Sequence, residues 1–165
     1  MMRYSGIIYN DTAAAPGVCL TFFTQGCPHH CKGCHNPETW DYEGGQRFTN
    51  DVLEDIIRGL RANGVNRTLC IMGGEPLCDR NIFLTALLIQ QVKAKYPNQK
   101  IYLWTGYTYE ELVKRHDSKT KYILSNIDCL IDGPFIEELR DTTLQMRGSS
   151  NQRIIYPKEI INGKH

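Results

Sequence analysis

The chain has 165 residues, which is enough for one domain with its own hydrophobic core. Its composition of 41% hydrophobic and 22% charged residues is typical of a globular protein, and a formal net charge of +1 gives no electrostatic basis for nucleic-acid binding. The longest apolar stretches, such as residues 82–89, are too short to span a membrane, and residues 1–11 lack the apolar core of a signal peptide. We therefore predict a cytoplasmic protein with a single domain over residues 1–165 and with no nucleic-acid or membrane partner.

Short apolar runs alternate with helical patterns along the chain. The runs that are typical of buried strands are 18–24, 68–72, 101–104 and 127–131, with 153–156 as a fifth candidate and 6–9 as an edge strand. Helices are predicted at 51–63, at 81–96, from a capping box formed by Thr108 and Glu111, at 118–126 and, as a short helix, at 135–140.

This alternation implies parallel strands that are joined by right-handed crossovers. A closed barrel of eight units needs roughly 250 residues, so this chain has room for about five units. We predict an α/β fold, an incomplete, open-sided (βα) barrel of about five units with parallel strands, and keep a doubly wound open sheet as the alternative. Polar and glycine-rich segments directly follow four of the strands, at 25–34, 73–76, 105–106 and 132–134. Since sites form at the carboxyl ends of parallel strands, these four loops are expected to converge.

Three of the seven cysteines follow the first core strand with the spacing C-x3-C-x2-C: Cys27, Cys31 and Cys34. Three soft thiolates suit an iron–sulfur cluster or zinc. A structural zinc site and an electron-carrying cluster each take four protein ligands, so three ligands leave a coordination position open for a substrate. Other readings remain open: a zinc site completed by His29, His30 or His35, a closed cluster completed by Cys78, or a redox loop without metal.

A tight turn, Gly73-Gly74-Glu75-Pro76, follows the second core strand. Glycines let a backbone approach a ligand closely, and a carboxylate with exposed carbonyls accepts hydrogen bonds from an ammonium group. The cysteine motif followed by GGEP resembles the radical S-adenosylmethionine superfamily. Five segments, in order over nearly the whole chain, resemble the activating proteins of anaerobic (class III) ribonucleoside-triphosphate reductases: FTQGCPHHCKGCHNPETWD, MGGEPL, LWTGYTYEEL, DCLIDGPF and RGSSNQRII.

The resemblance implies that Cys27, Cys31 and Cys34 hold a [4Fe-4S] cluster whose open iron binds S-adenosylmethionine, while Glu75 and the glycines before it hold the ligand's amino group. It implies reductive cleavage to a 5′-deoxyadenosyl radical, which generates a glycyl radical on the anaerobic reductase, with reduced flavodoxin or ferredoxin as the electron donor. The superfamily usually has an aromatic residue before the third cysteine. Here that residue is Gly33, and His35 is our candidate for the side chain that flanks the adenine.

Rival functions are an activator of another glycyl-radical enzyme such as pyruvate formate-lyase, a small zinc-binding interaction module and a simple ferredoxin. The first rival is disfavoured because those activators are usually longer.

Several further residues receive predicted roles from their positions. Thr105 and Gly106 end a strand on the predicted active face and are assigned to ligand binding, whereas Asp132 is expected to reach that face or to cap the following helix. Trp40 is expected to anchor the cysteine loop or to shield the cluster. The polar residues predicted to contact the ligand carboxylate, the reductase or only solvent are Arg147, Ser149, Asn151 and Arg153. The cysteines predicted to be small buried hydrophobes are Cys19, Cys70 and Cys129.

Overall fold

A seven-stranded mixed β-sheet runs through the computed structural model, which describes residues 1–163 of the chain. The strands are β1 (Arg3–Asp11), β2 (Cys19–Thr24), β3 (Gln46–Arg47), β4 (Thr68–Gly73), β5 (Ile101–Trp104), β6 (Cys129–Asp132) and β7 (Arg153–Ile155). The α-helices are α1 (Asn50–Gly59), α2 (Ile82–Lys95), α3 (Tyr109–Val113), α4 (Ser118–Asn126) and α5 (Pro157–Ile161). Single 3-10 turns occur at Pro37–Thr39, Ala62–Gly64 and Glu137–Leu139.

The strand order is β3-β1-β2-β4-β5-β6-β7, and only the central four strands are parallel to one another. The prediction of an α/β fold is therefore confirmed, but the prediction of parallel strands throughout is wrong at both edges. β1 pairs antiparallel with β2 and β3, and β7 pairs antiparallel with β6. A parallel pair needs a long crossover, usually a helix, to return the chain. Residues 12–18 are too few for one, and residues 133–152 hold a 3-10 turn in place of an α-helix.

The helix starts follow from local side-chain chemistry. Thr49 accepts a hydrogen bond from the Val52 N–H at the start of α1, and the predicted capping box of Thr108 and Glu111 opens α3. Asp117 caps α4 in the same way, and the bounds of α4 are those predicted. β3 and α5 were not predicted, because two and five residues are too short for a periodic pattern.

The helices α1 to α4 pack on one face of the sheet, where apolar side chains of the four parallel strands form the main core. Contacts between α1 and α2, α2 and α4, and α4 and α5 place these helices in a row. This single layer differs from a doubly wound sheet, which carries helices on both faces. Cys19 and Cys70 lie on the other face of the sheet, and they and Cys129 are fully buried, as predicted. Within residues 1–163, no helix combines the length and apolar character needed to cross a bilayer.

Candidate functional site

The carboxyl ends of all four parallel strands border one cavity of about 220 Å³. Its wall includes Cys27, Cys31 and Cys34 after β2, residues 73–75 after β4, residues 104–106 at the end of β5 and Gly133 after β6. The expected convergence of these loops is therefore confirmed. The three thiols and the Gly-Gly-Glu turn, which lie about forty residues apart in the chain, share this cavity because β2 and β4 are neighbouring parallel strands.

Backbone hydrogen bonds tie the start of the segment Gln25 to Asn36, called the cluster loop below, to the residues just after it. The Gly26 and Cys27 N–H groups donate to the carbonyls of Thr39 and Trp40, at 2.6 and 3.2 Å. The Trp40 ring lines the cavity and stacks on the His30 ring with 4.5 Å between centroids. Trp40 thus anchors the loop through its backbone and also forms part of the cavity wall, so both predicted roles are compatible with its position.

Each of the three sulfur atoms has at least one backbone N–H group directed at it. Burial raises the pKa of the Cys27 thiol to about 11, while the backbone N–H groups of His29 and His30 act in the opposite direction by donating to this sulfur. Burial likewise raises the pKa of Cys31, opposed by the Phe135 N–H, and the Asn36 N–H lies 3.4 Å from Cys34 Sγ.

Donors that point at sulfur favour the thiolate form, which is the form that binds iron. Three such thiols on one cavity wall fit the donor set of an iron–sulfur cluster. Among residues 1–163, no group of three or more His, Cys, Asp or Glu side chains is arranged to hold a single metal ion.

The turn after β4 packs directly on the cluster loop. Gly73 has a φ of +109°, a conformation that favours glycine. A Cβ on Gly74 would lie 2.3 Å from the Gly26 carbonyl oxygen, and the Glu75 N–H donates to that same oxygen at 2.9 Å. Contact between the two protein loops is therefore a sufficient reason for glycine at 74. The Asn81 side-chain amide, which the sequence did not single out, joins the loops by donating to the Gly26 and Glu75 carbonyls, both at 3.0 Å.

The Glu75 carboxylate is fully buried and accepts four hydrogen bonds. Oε1 accepts from the Leu77 N–H at 2.9 Å and from the Thr105 hydroxyl at 2.8 Å. Oε2 accepts from the Gly106 N–H at 2.7 Å and from His29 Nε2, also at 2.7 Å. The predicted site residues Glu75, Thr105 and Gly106 are thus brought together, and the contact that unites them is the carboxylate itself.

Other singled-out residues lie outside the cavity wall. Pro76 belongs to the same turn, and its carbonyl accepts from the Thr85 hydroxyl at 2.8 Å. Cys78 is buried, with its Sγ 3.7 Å from the Tyr42 hydroxyl, and is not among the cavity-lining residues.

Asp132 is buried under Arg153, whose guanidinium lies 2.5 Å from Oδ2, and that oxygen also accepts from the Tyr109 N–H at 2.8 Å. Both expectations for Asp132 are wrong, because it holds the start of α3, a helix that precedes it in sequence.

Two of the polar residues singled out at 147–153, Ser149 and Asn151, support the cavity wall rather than lining it. The Asn151 side chain donates to the Pro134 carbonyl at 2.7 Å, and the Ser149 hydroxyl accepts from the Ile136 N–H at 3.2 Å. The cavity is instead lined by their neighbours Gly148 and Gln152, and the Gln152 side chain donates to the Gly133 carbonyl at 3.0 Å.

Much of the apolar wall of the cavity was not predicted from the sequence. The apolar side chains that the sequence did not assign to the site are those of Met72, Trp104, Phe135 and Met146. Trp104 was detectable, because strand alternation places it on the face opposite the core residue Leu103. Phe135 was placed in a short helix, and Met146 lies in an irregular segment with no pattern. His35 lines the cavity, with its ring 5.5 Å from that of Phe135.

Comparisons with known proteins identify the family to which this chain belongs. A family profile described as a 4Fe-4S single cluster domain matches residues 13–155. A Vibrio cholerae protein named anaerobic ribonucleoside-triphosphate reductase-activating protein is 40% identical over 154 residues, covering 93% of this chain and 97% of its own length. Proteins with the same name from Escherichia coli and Haemophilus influenzae are 36% and 37% identical, over 92% and 93% of this chain and 96% and 97% of their own lengths. The chain therefore belongs to the family of anaerobic ribonucleoside-triphosphate reductase-activating proteins, and it carries a 4Fe-4S cluster domain.

Proposed function

We propose that this protein is a radical S-adenosylmethionine enzyme that generates a glycyl radical on an anaerobic ribonucleoside-triphosphate reductase. The observation that carries the proposal is the single cavity shared by Cys27, Cys31 and Cys34 and by the Gly-Gly-Glu turn. The names of the relatives supply the protein substrate, since they describe activating proteins of this reductase.

The three cysteines are the proposed ligands of a [4Fe-4S] cluster, which leaves one iron without a protein ligand. When bound, the cluster would supply one electron for cleavage of a C–S bond of S-adenosylmethionine, which would give methionine and a 5′-deoxyadenosyl radical able to take a hydrogen atom from a glycine Cα of the reductase. The backbone N–H groups of His29, His30, Phe135 and Asn36 hold the thiolates by donating to sulfur.

Residues around the cavity bind and shield the ligand in this proposal. Residues 73–76 form the turn that receives the amino group, through the Glu75 carboxylate and the glycine carbonyls. His35 flanks the adenine, and its neighbour Phe135 extends that aromatic surface. The apolar side chains of Met72, Trp104 and Met146 keep water away, which protects a reactive radical from side reactions.

The shape of the molecule is consistent with a protein substrate. We propose that residues 1–165 form one radical S-adenosylmethionine domain, and that the sheet with its single layer of helices is an incomplete, open-sided barrel. Its open side admits the glycine-bearing loop of the reductase, which a closed barrel would exclude. Reduced flavodoxin or ferredoxin is the proposed electron donor, and the cytoplasm the proposed location.

The test begins with protein purified and reconstituted without oxygen. We expect about four irons and four sulfides per chain, since the proposed cluster is of the four-iron type. Reductant and S-adenosylmethionine should then release 5′-deoxyadenosine, and addition of the anaerobic reductase should yield a glycyl-radical doublet in electron paramagnetic resonance. Zinc without sulfide would refute the cluster. Cleavage of the ligand without a doublet on the reductase would refute the proposed protein substrate.

A further inference from the structure

In the sequence, His29 lies between two of the cysteines that are proposed to bind iron. Its side chain contacts the turn that is proposed to bind S-adenosylmethionine. Its Nε2 is 2.7 Å from Glu75 Oε2, and only 19% of the His29 side chain is exposed. The sequence suggested His29 only as one possible zinc ligand. In the structure it joins the cluster loop to the carboxylate that is proposed to bind an amino group.

The packing around His29 brings the imidazole close to the end of β5. A Cβ on Gly106 would lie 2.6 Å from His29 Cδ2, so the imidazole packs directly against the Gly106 backbone. The Tyr107 ring meets the imidazole edge-on at 4.6 Å, and the Arg115 guanidinium covers Tyr107 at 4.3 Å. The imidazole thus occupies a defined place between the cluster loop and β5.

The Glu75 carboxylate has no spare capacity while His29 is bound to it. A carboxylate has about four acceptor positions, and the structure records four donors on this one. Only 1% of the Glu75 side chain is exposed, so no part of the carboxylate is open to a further donor from the solvent. An ammonium group therefore reaches Glu75 only if one of the four donors leaves.

Three of those donors are fixed by the fold. The N–H groups of Leu77 and Gly106 belong to the backbone, and the Thr105 hydroxyl is on a buried residue at the end of β5. His29 is the donor that can leave by side-chain rotation, because its imidazole borders the cavity. The departing hydrogen bond to the carboxylate is replaced by a charge-assisted hydrogen bond from the ammonium group to the same oxygen.

We infer that His29 is the exchangeable partner of Glu75: it satisfies the buried carboxylate in the ligand-free protein and is displaced from it by the amino group of S-adenosylmethionine. The inference rests on the proposed function and adds a positioning residue to it. Ligand binding then releases the middle of the cluster loop from β5, so that occupancy of the ligand site is transmitted to the loop that carries Cys27 and Cys31.

If the ligand displaces His29, removal of the imidazole should strengthen the binding of S-adenosylmethionine. Removal of a purely structural residue should weaken it. A ligand that must displace His29 binds more weakly than one that finds Glu75 free. We therefore expect His29→Asn, whose shorter side chain does not reach Glu75, to lower the Kd for S-adenosylmethionine about tenfold, because a charge-assisted hydrogen bond no longer has to be broken. The deaminated analogue, which keeps the sulfonium and the carboxylate but lacks the amino group, should bind equally well to wild type and variant.

The experiment is equilibrium dialysis of both ligands against cluster-loaded protein without reductant, so that no turnover occurs. His116→Asn is the matched control, since it is the same change at an exposed histidine that does not line the cavity. It should leave both Kd values within about twofold of wild type. Iron content and circular dichroism of each variant establish that cluster and fold are retained.

Three results would overturn the exchange. The first is weaker binding of both ligands to His29→Asn, as expected of a purely structural residue, and the second is an unchanged Kd for S-adenosylmethionine. If His29→Asn does not retain iron, His29→Leu, which fills more of the space beside Gly106, is used for the same titrations. Loss of the cluster in both variants, with His116→Asn loaded normally, is the third, because His29 would then be a permanent anchor. Failure of loaded wild-type protein to bind S-adenosylmethionine would instead contradict the proposed function.

Discussion

Gly74→Ala tests whether glycine at this position is required by contact between two protein loops or by approach of the ligand. A Cβ there would lie 2.3 Å from the Gly26 carbonyl oxygen and 2.8 Å from its carbonyl carbon, whereas optimal non-bonded separations are ~3.5 Å or more. Both obstacles are backbone atoms, so no side-chain rotation relieves them. The turn must move away from the cluster loop, which strains the hydrogen bonds that the Gly74 and Glu75 N–H groups donate to Thr24 and Gly26.

Overpacking of this kind costs about 1–3 kcal/mol, and the contact here is at the severe end, so we expect about 3 kcal/mol. For a domain of this size that corresponds to a fall in Tm of roughly 6–12 °C. The assay is urea unfolding of the cluster-free protein, kept reduced and without oxygen. Gly6→Ala is the control, because a Cβ there meets nothing within 4 Å, and its free energy of unfolding should stay within about 0.5 kcal/mol of wild type. An unchanged free energy of unfolding for Gly74→Ala, together with a raised Kd for S-adenosylmethionine, would refute the packing argument.

Three further predictions concern cluster loading, the ion pair of a buried carboxylate and pH. Cys31→Ala should lose the cluster, whereas Cys70→Ala should keep its iron and sulfide and lose only stability; equal iron loss in both would contradict the assigned ligands. Arg153→Met should lower the free energy of unfolding by ~2 kcal/mol in a urea titration, since it removes a charged hydrogen-bond partner from buried Asp132, and an unchanged value would show that the pair contributes nothing. The Arg153 hydrogen bond lowers the pKa of Glu110 from 4.5 to about 2, so it stabilises the folded protein above pH 4.5 and this contribution is lost as the pH falls toward 2. Glu110→Gln should therefore show a shallower loss of stability than wild type over that pH range, measured on cluster-free protein, and parallel curves would contradict the assignment.

The strands that carry the site could be predicted from the sequence because they are short, apolar and followed at once by glycine or polar residues. β4, β5 and α4 lie within one residue of their predicted bounds. The direction of the edge strands could not be predicted in the same way. The run at 153–156 predicts a strand, but strand direction depends on how the preceding segment returns, and residues 133–152 have no periodic pattern from which that return can be deduced.

The polar residues near the end of the chain illustrate a second limit. Arg153 and Asp132 were assigned possible roles at the site because charged residues in a motif suggest ligand contacts. Pairing of β6 with β7 instead places Asp132 opposite Arg153 in register, where each satisfies the other. Sequence identifies the charges, but the cross-strand register decides whether they meet a ligand or one another.

The sequence by itself determined the chemistry that is available: three thiols with one metal-binding spacing, a Gly-Gly-Glu turn after the next strand, and the order in which these segments follow the strands. Only the tertiary structure decided how they are used. Burial of Glu75 beneath the cluster loop saturates its carboxylate with four donors, and His29 is brought against the backbone of Gly106. The reason is physical: spacing along the chain fixes which groups a loop can present, whereas hydrogen-bond saturation and close packing depend on what neighbouring strands bring to the same point.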